Sequence, residues 1–147
     1  MGQISRGKKT LAGRILACVL LLGMMVIGCL AGCTQNTAPE KLRDLEFTVV
    51  GDGEVPEELK GIIAEKQGAP FKLTYSSGQG LYIVQGYGEQ ETGGYSIAVR
   101  QLYLTEDSIV FDAELIGPEK GEDGGTEKSY PYIVIKTEFL ENPVVFQ

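Results

Sequence analysis

The chain contains no histidine and no tryptophan, and its three cysteines, Cys18, Cys29 and Cys33, all fall within the first 33 of its 147 residues. Each absence removes a class of chemistry. Without His, neither a Ser-His-Asp nor a Cys-His nucleophilic site can be assembled. Without His or Cys beyond residue 33, zinc sites built on those ligands are excluded from the rest of the chain. The same stretch has no disulfide to lean on, so a domain there must stand on its apolar core alone. Positive charge is also scarce. After Cys33, nine Lys and Arg face twenty Asp and Glu, a net charge of −11. Such a surface repels phosphate backbones, so nucleic acid is not expected as a partner.

Cofactor and metal motifs are missing as well. Residues 86–91, Gly-Tyr-Gly-Glu-Gln-Glu, approach a dinucleotide fingerprint, but Glu91 stands where the last glycine belongs and no helix is predicted to follow. The acidic glycine stretch 119–125 lacks the ligand spacing of an EF-hand and reads as a solvated loop. Carboxylate neighbours such as Glu106 and Asp107 read as surface acids in a turn rather than as an acid–base pair. No cofactor, no metal and no catalytic residue is therefore expected.

What the chain does have is a well-marked beginning. Arg6, Lys8, Lys9 and Arg14 form a basic segment without acids, and an apolar run from Ile15 to Ile27 follows it. That run has the length of a secretory h-region and falls short of the roughly 20 residues that span a bilayer. It leads to Leu30-Ala31-Gly32-Cys33, which looks like a lipobox; residues 26–29, ending in Cys29, fit the pattern more loosely. The expected organisation is a lipoprotein signal peptide at 1–32, a lipidated Cys33 with a polar tether to residue 44, and one domain at 45–147. The site of action is then the bacterial cell membrane, facing outside the cytoplasm. The lipid chains, not the acidic domain, would hold the bilayer.

Within 45–147 one segment reads as a helix, from Pro56 to Gln67. Pro56 suits the first helical position, Glu57 and Glu58 suit the positive end of the dipole and Lys66 the negative end. Leu59, Ile62 and Ile63 share one stripe, and Gly68 and Pro70 stop the segment. The rest reads as strands. These are residues 45–50, 71–75, 81–85, 95–104 with a bulge near Arg100-Gln101, 109–115 with Ile109, Phe111, Ala113 and Leu115 on one face, 132–137 and 144–146. Short connections predict antiparallel pairing. The expected fold is α+β: a curved or barrel-like antiparallel sheet of six or seven strands with one helix.

Two motifs stand out. The stretch 88–96, Gly-Glu-Gln-Glu-Thr-Gly-Gly-Tyr-Ser, joins two strong strands; it is either a glycine-built reversal or a loop offering Tyr95 and its amides to a partner. Residues 129–132, Ser-Tyr-Pro-Tyr, open a strand, with Pro131 where no ladder donor is needed. Tyr130 and Tyr132 then lie on one face, either as rim packing or as an aromatic contact surface.

Residues 83–97 and 130–136 together resemble the C-terminal domain of the protease complex subunit PrcB family, whose members pair a Thr-Gly-Gly-Tyr-Ser loop with a Tyr-Pro-Tyr strand opener. The resemblance runs over about residues 55–140. This chain carries Gln90-Glu91 where the family often has Arg-Pro, which changes the charge and stiffness of the loop. The resemblance implies a non-catalytic lipoprotein that binds and stabilises an extracytoplasmic protein, plausibly a protease. Thr92, Gly93, Gly94, Tyr95, Tyr130, Pro131 and Tyr132 are the positions carried over as a contact surface. The alternative is a protease inhibitor presenting the Thr92–Tyr95 loop.

Overall fold

A strand of four apolar residues in a row, Leu81-Tyr82-Ile83-Val84, cannot keep one face in water, so something must cover each side of its sheet. The computed structural model, which describes residues 39–147 apart from 79, 122 and 123, supplies both covers. The elements in order are β1 (Arg43–Asp44), β2 (Phe47–Val49), α1 (Glu57–Lys66), β3 (Pro70–Ser77), β4 (Gly80–Tyr87), β5 (Ser96–Leu104), β6 (Ile109–Ile116), β7 (Tyr132–Glu138) and β8 (Val144–Phe146). They form two four-stranded sheets, ordered β1-β5-β6-β8 and β2-β7-β4-β3.

The odd-numbered residues of β4 and β7 point to the first sheet. Leu81, Ile83, Ile133 and Ile135 pack there with Leu102, Ile109, Phe111 and Ala113. The even-numbered residues point the other way. Tyr82, Val84 and Val134 pack under Leu59 and Ile63 of the helix and under Val55. The described residues thus form three layers, sheet on sheet on helix, with β4 and β7 in the middle.

The mostly-β architecture with one helix holds, but the expected single curved or barrel-like sheet of six or seven strands is corrected: among the described residues there are eight strands in two sheets, with no closed barrel. The physical reason lies at Leu45. The expected first strand, 45–50, is broken there. Leu45 is buried in the inter-sheet core, and the chain passes from the edge of one sheet at β1 to the edge of the other at β2. Residues 42–44, at the end of the expected tether, already pair with β5: the Leu42 amide donates to the Leu104 carbonyl at 2.8 Å. The antiparallel expectation also fails once. β8 runs parallel to β6, because β7 carries the chain across to the other sheet before it returns.

Other local readings hold. The register shifts between Val99 and Gln101, where the bulge was expected. Around it, Arg100 pairs across the strands with Glu114. The helix starts one residue later than predicted, with Pro56 as the extended cap (φ −53°, ψ 138°) whose carbonyl accepts from the Lys60 amide. No helix among the described residues is long and apolar enough to cross a membrane. The expected signal segment, Cys33 and most of the tether lie outside the described residues.

Candidate functional site

The two motifs, residues 88–96 and 129–132, are far apart in sequence and meet at one end of the second sheet. Beyond the regular β4–β7 ladder the pairing continues. The Tyr87 amide donates to the Pro131 carbonyl at 3.0 Å, and Gln90 and Ser129 exchange amide–carbonyl bonds of 2.8 and 3.0 Å. Side chains reinforce the join. The Ser129 hydroxyl donates to the Thr92 carbonyl at 2.6 Å, and the Gln90 carboxamide donates to the Tyr87 carbonyl at 3.1 Å.

The Thr92–Tyr95 loop is braced from its other side by the acidic glycine loop. The Gly93 amide donates to the Gly124 carbonyl at 2.8 Å. The backbones approach so closely that a Cβ on Gly124 would lie 2.6 Å from the Gly93 oxygen, and one on Gly93 would lie 2.9 Å from the Gly124 oxygen. Glycine at both positions is thus a packing requirement. Gly94 adopts φ +80°, in the left-handed region that suits glycine. Tyr95 is half-buried, and its ring lies over Gly117. Two of the loop's backbone groups, the Gly93 amide and the Thr92 carbonyl, are bonded to Gly124 and Ser129.

The Ser-Tyr-Pro-Tyr segment presents a different surface. Tyr130 is 38% exposed, and its hydroxyl donates to Glu89 Oε2 at 2.9 Å, while Lys128 Nζ donates to Glu89 Oε1 at 2.5 Å. Two donors on one carboxylate favour its charged form, so Lys128 first and Tyr130 second hold the Glu89 carboxyl below its ordinary range. The same bonds push the Tyr130 phenol and the Lys128 ammonium upward. Tyr132 turns toward the helix layer, and its hydroxyl donates to Asp52 Oδ1 at 2.9 Å. Burial, and then that bond, raises its phenol pKa.

Tyr130, Pro131 and Tyr132 line a shallow depression of about 280 Å³ with Val49, Val50, Asp52, Ile133 and Val134. Val49, on the edge strand β2, is 56% exposed. The depression mixes aliphatic side chains with two tyrosines and the Asp52 carboxylate. The structure thus brings all seven sequence-selected residues to one end of the protein but divides their roles. Thr92, Gly93, Gly94 and Tyr95 build a brace; Tyr130 and Pro131 face outward. Sequence reasoning missed Glu89, Lys128, Asp52 and Val49. The first two were legible only if residues 87–90 were paired with 129–131, which no local pattern announces.

Glu106 and Asp107 sit exposed in the β5–β6 turn, and no group of three metal-ligating side chains converges among the described residues. Residues 81–138 match the family model of the PrcB C-terminal domain, a segment that runs from β4 through β7 and contains both motifs. The resemblance read from those motifs holds over this segment. No curated protein and no solved structure matches the chain.

Proposed function

Proceeding from a PrcB C-terminal segment at residues 81–138, we propose that this protein is a lipid-anchored, non-catalytic accessory subunit that docks on an extracytoplasmic protease and stabilises it. Cys33 carries the lipid, the tether lifts the domain from the bilayer, and the strip around Tyr130, Pro131 and Val49 receives the partner. The observation that carries the reading is that the family segment encloses both motifs, one as a brace and the other as an exposed aromatic surface held by that brace. Tyrosine on a pre-ordered backbone binds with little loss of rotamer freedom, and the Glu89 contacts fix the Tyr130 ring in advance.

The test compares the lifetime and activity of a co-purified extracytoplasmic protease with wild-type protein, with Tyr130→Ala, and without the subunit. Wild type prolongs the protease's activity and Tyr130→Ala does so less. A fall in proteolysis on adding wild type would establish an inhibitor instead. Unchanged co-purification in Tyr130→Ala would remove the proposed surface. Replacement of the anchor, Cys33→Ser, moves the protein from the membrane to the soluble fraction.

A further inference from the structure

One bond fixes which way the backbone of β2 faces. The Val50 amide donates to the Val134 carbonyl at 2.9 Å, so these two are a hydrogen-bonded pair, and by alternation Thr48 and Lys136 are the next. Phe47 and Val49 sit at the intervening pairs and aim their N–H and C=O groups away from β7. β2 is the last strand of its sheet, and no backbone group among the described residues bonds to Phe47 or Val49 from outside it. Their side chains are exposed as well, at 39% and 56%. The opposite edge of the same sheet is guarded: β3 opens on Pro70, which has no N–H, and carries Lys72 two residues on. β2, Phe-Thr-Val, has neither device.

Space and charge lie along this open edge. A depression of about 880 Å³ includes Phe47 and Thr48 in its lining, and the depression beside Tyr130 includes Val49 and Val50. Asp44, Glu46, Asp52 and Glu138 line the two against Arg43 and Lys136. Both cations are occupied: Arg43 pairs with Glu138 at 2.8 Å, and the Lys136 ammonium lies over the Tyr82 ring at 5.4 Å. Glu46 enters no ion pair among the described residues.

We infer that β2 takes up an extended, basic segment of the partner as an added strand, in the order partner-β2-β7-β4-β3. Phe47 and Val49 offer its backbone two donors and two acceptors. Residues of the segment opposite Phe47 and Val49 share their face and are apolar. The residues alternating with them share the face of Glu46 and Thr48, so Lys or Arg there meets the Glu46 carboxylate. Charge disfavours a second copy of this chain, since two acidic rims would face each other on domains whose net charge after Cys33 is −11. That the segment belongs to a protease rests on the docking reading above; the open edge does not.

The probe is the peptide acetyl-Gly-Lys-Val-Thr-Val-Lys-Gly-amide, titrated calorimetrically into the full chain in detergent, with amide hydrogen exchange followed at saturation. It binds saturably and slows exchange at the Phe47 and Val49 amides, while the Thr48 amide, already bonded to β7, changes little. The same peptide with Glu for both Lys binds about ten-fold more weakly, and Glu46→Gln narrows that difference. Val49→Pro removes an outward N–H and no ladder bond, and lowers affinity about ten-fold. Val49→Lys, which keeps the backbone donor and guards the edge with a cation, lowers it too. No saturable binding, unchanged exchange at Phe47 and Val49 with peptide bound, or undiminished affinity in both Val49 variants would overturn the inference. Protection of the same two amides in the protein alone, rising with its concentration, assigns the edge to a second copy and overturns it also. Protease co-purification that falls in Tyr130→Ala but not in the Val49 variants removes strand addition and leaves the docking reading. Peptide binding with no protease co-purifying does the reverse.

Discussion

Substituting Gly124 with alanine isolates the contact that braces the Thr92–Tyr95 loop. The change adds a methyl to a backbone that already lies against the neighbouring loop. That methyl would lie 2.6 Å from the Gly93 oxygen, 3.1 Å from Thr92 Oγ1 and 3.3 Å from Thr92 Cβ. Only Thr92 Oγ1 can swing away by rotation; Thr92 Cβ is fixed by the backbone, and the nearest atom is itself backbone. To regain ordinary contact the loops must part by roughly 1 Å, which breaks the 2.8 Å bond from the Gly93 amide to the Gly124 carbonyl. Overpacking of this kind costs about 1–3 kcal/mol, of which the lost hydrogen bond accounts for about 0.5–1.5. With a urea slope of about 1–3 kcal/mol per M, the unfolding midpoint falls by about 1 M. Gly53→Ala is the control: no atom lies within 4 Å of its Cβ position, so its midpoint stays within the range of about ±0.5 kcal/mol typical of surface changes. Hydrogen exchange at the Gly93 amide reads the same event locally and accelerates in Gly124→Ala alone. Equal midpoints for the two variants, with unchanged exchange at Gly93, would refute the claim that the loop is a structural brace.

Gly88 is buried at φ +73°, and a Cβ there would meet the Pro70 nitrogen at 2.9 Å and the Ala69 carbonyl carbon at 3.0 Å. Gly88→Ala therefore adds left-handed strain of about 1–2 kcal/mol to a backbone clash and destabilises in thermal melts more than Gly53→Ala does. Leu59 is fully buried between α1 and the second sheet, so Leu59→Ala costs about 2–5 kcal/mol by urea titration. Alkali weakens the fold through its tyrosines. Burial raises the Tyr87 phenol, and burial followed by the Asp52 bond raises that of Tyr132. The native state thus holds these protons more tightly than the unfolded chain. Their stabilisation is intact below the unfolded value of about 10 and is lost as pH climbs through the higher native values. Urea midpoints measured from pH 8 upward decline accordingly, and less steeply in Tyr132→Phe.

How far the sequence could be read depended on whether the signal was local. The helix and the bulge at 99–101 follow from periodicity within one segment, and the structure reproduces them; the one-faced reading of Ile109, Phe111, Ala113 and Leu115 holds in part, because Val110 on the opposite face is buried too and Leu115 is half-buried. The division into two sheets does not, because it turns on Leu45 lying in the core between two short strands, and the six residues 45–50 read as one unbroken strand. The parallel β6–β8 pair was hidden for a related reason: short connections suggest neighbours, yet β7 belongs to the other sheet. At the candidate site the motif residues were visible as unusual strings. Their division into brace and surface was not, since it depends on Gly124 and Glu89, which lie in stretches with no pattern of their own.

The most direct test of the docking surface is site-specific photocrosslinking in native membranes, with the photoreactive side chain placed at Tyr130 in one protein and at Lys60, on the solvent side of the helix, in another. The account predicts an extracytoplasmic protease crosslinked from position 130 and absent from position 60. A protease captured equally from both positions, or from neither, would contradict it.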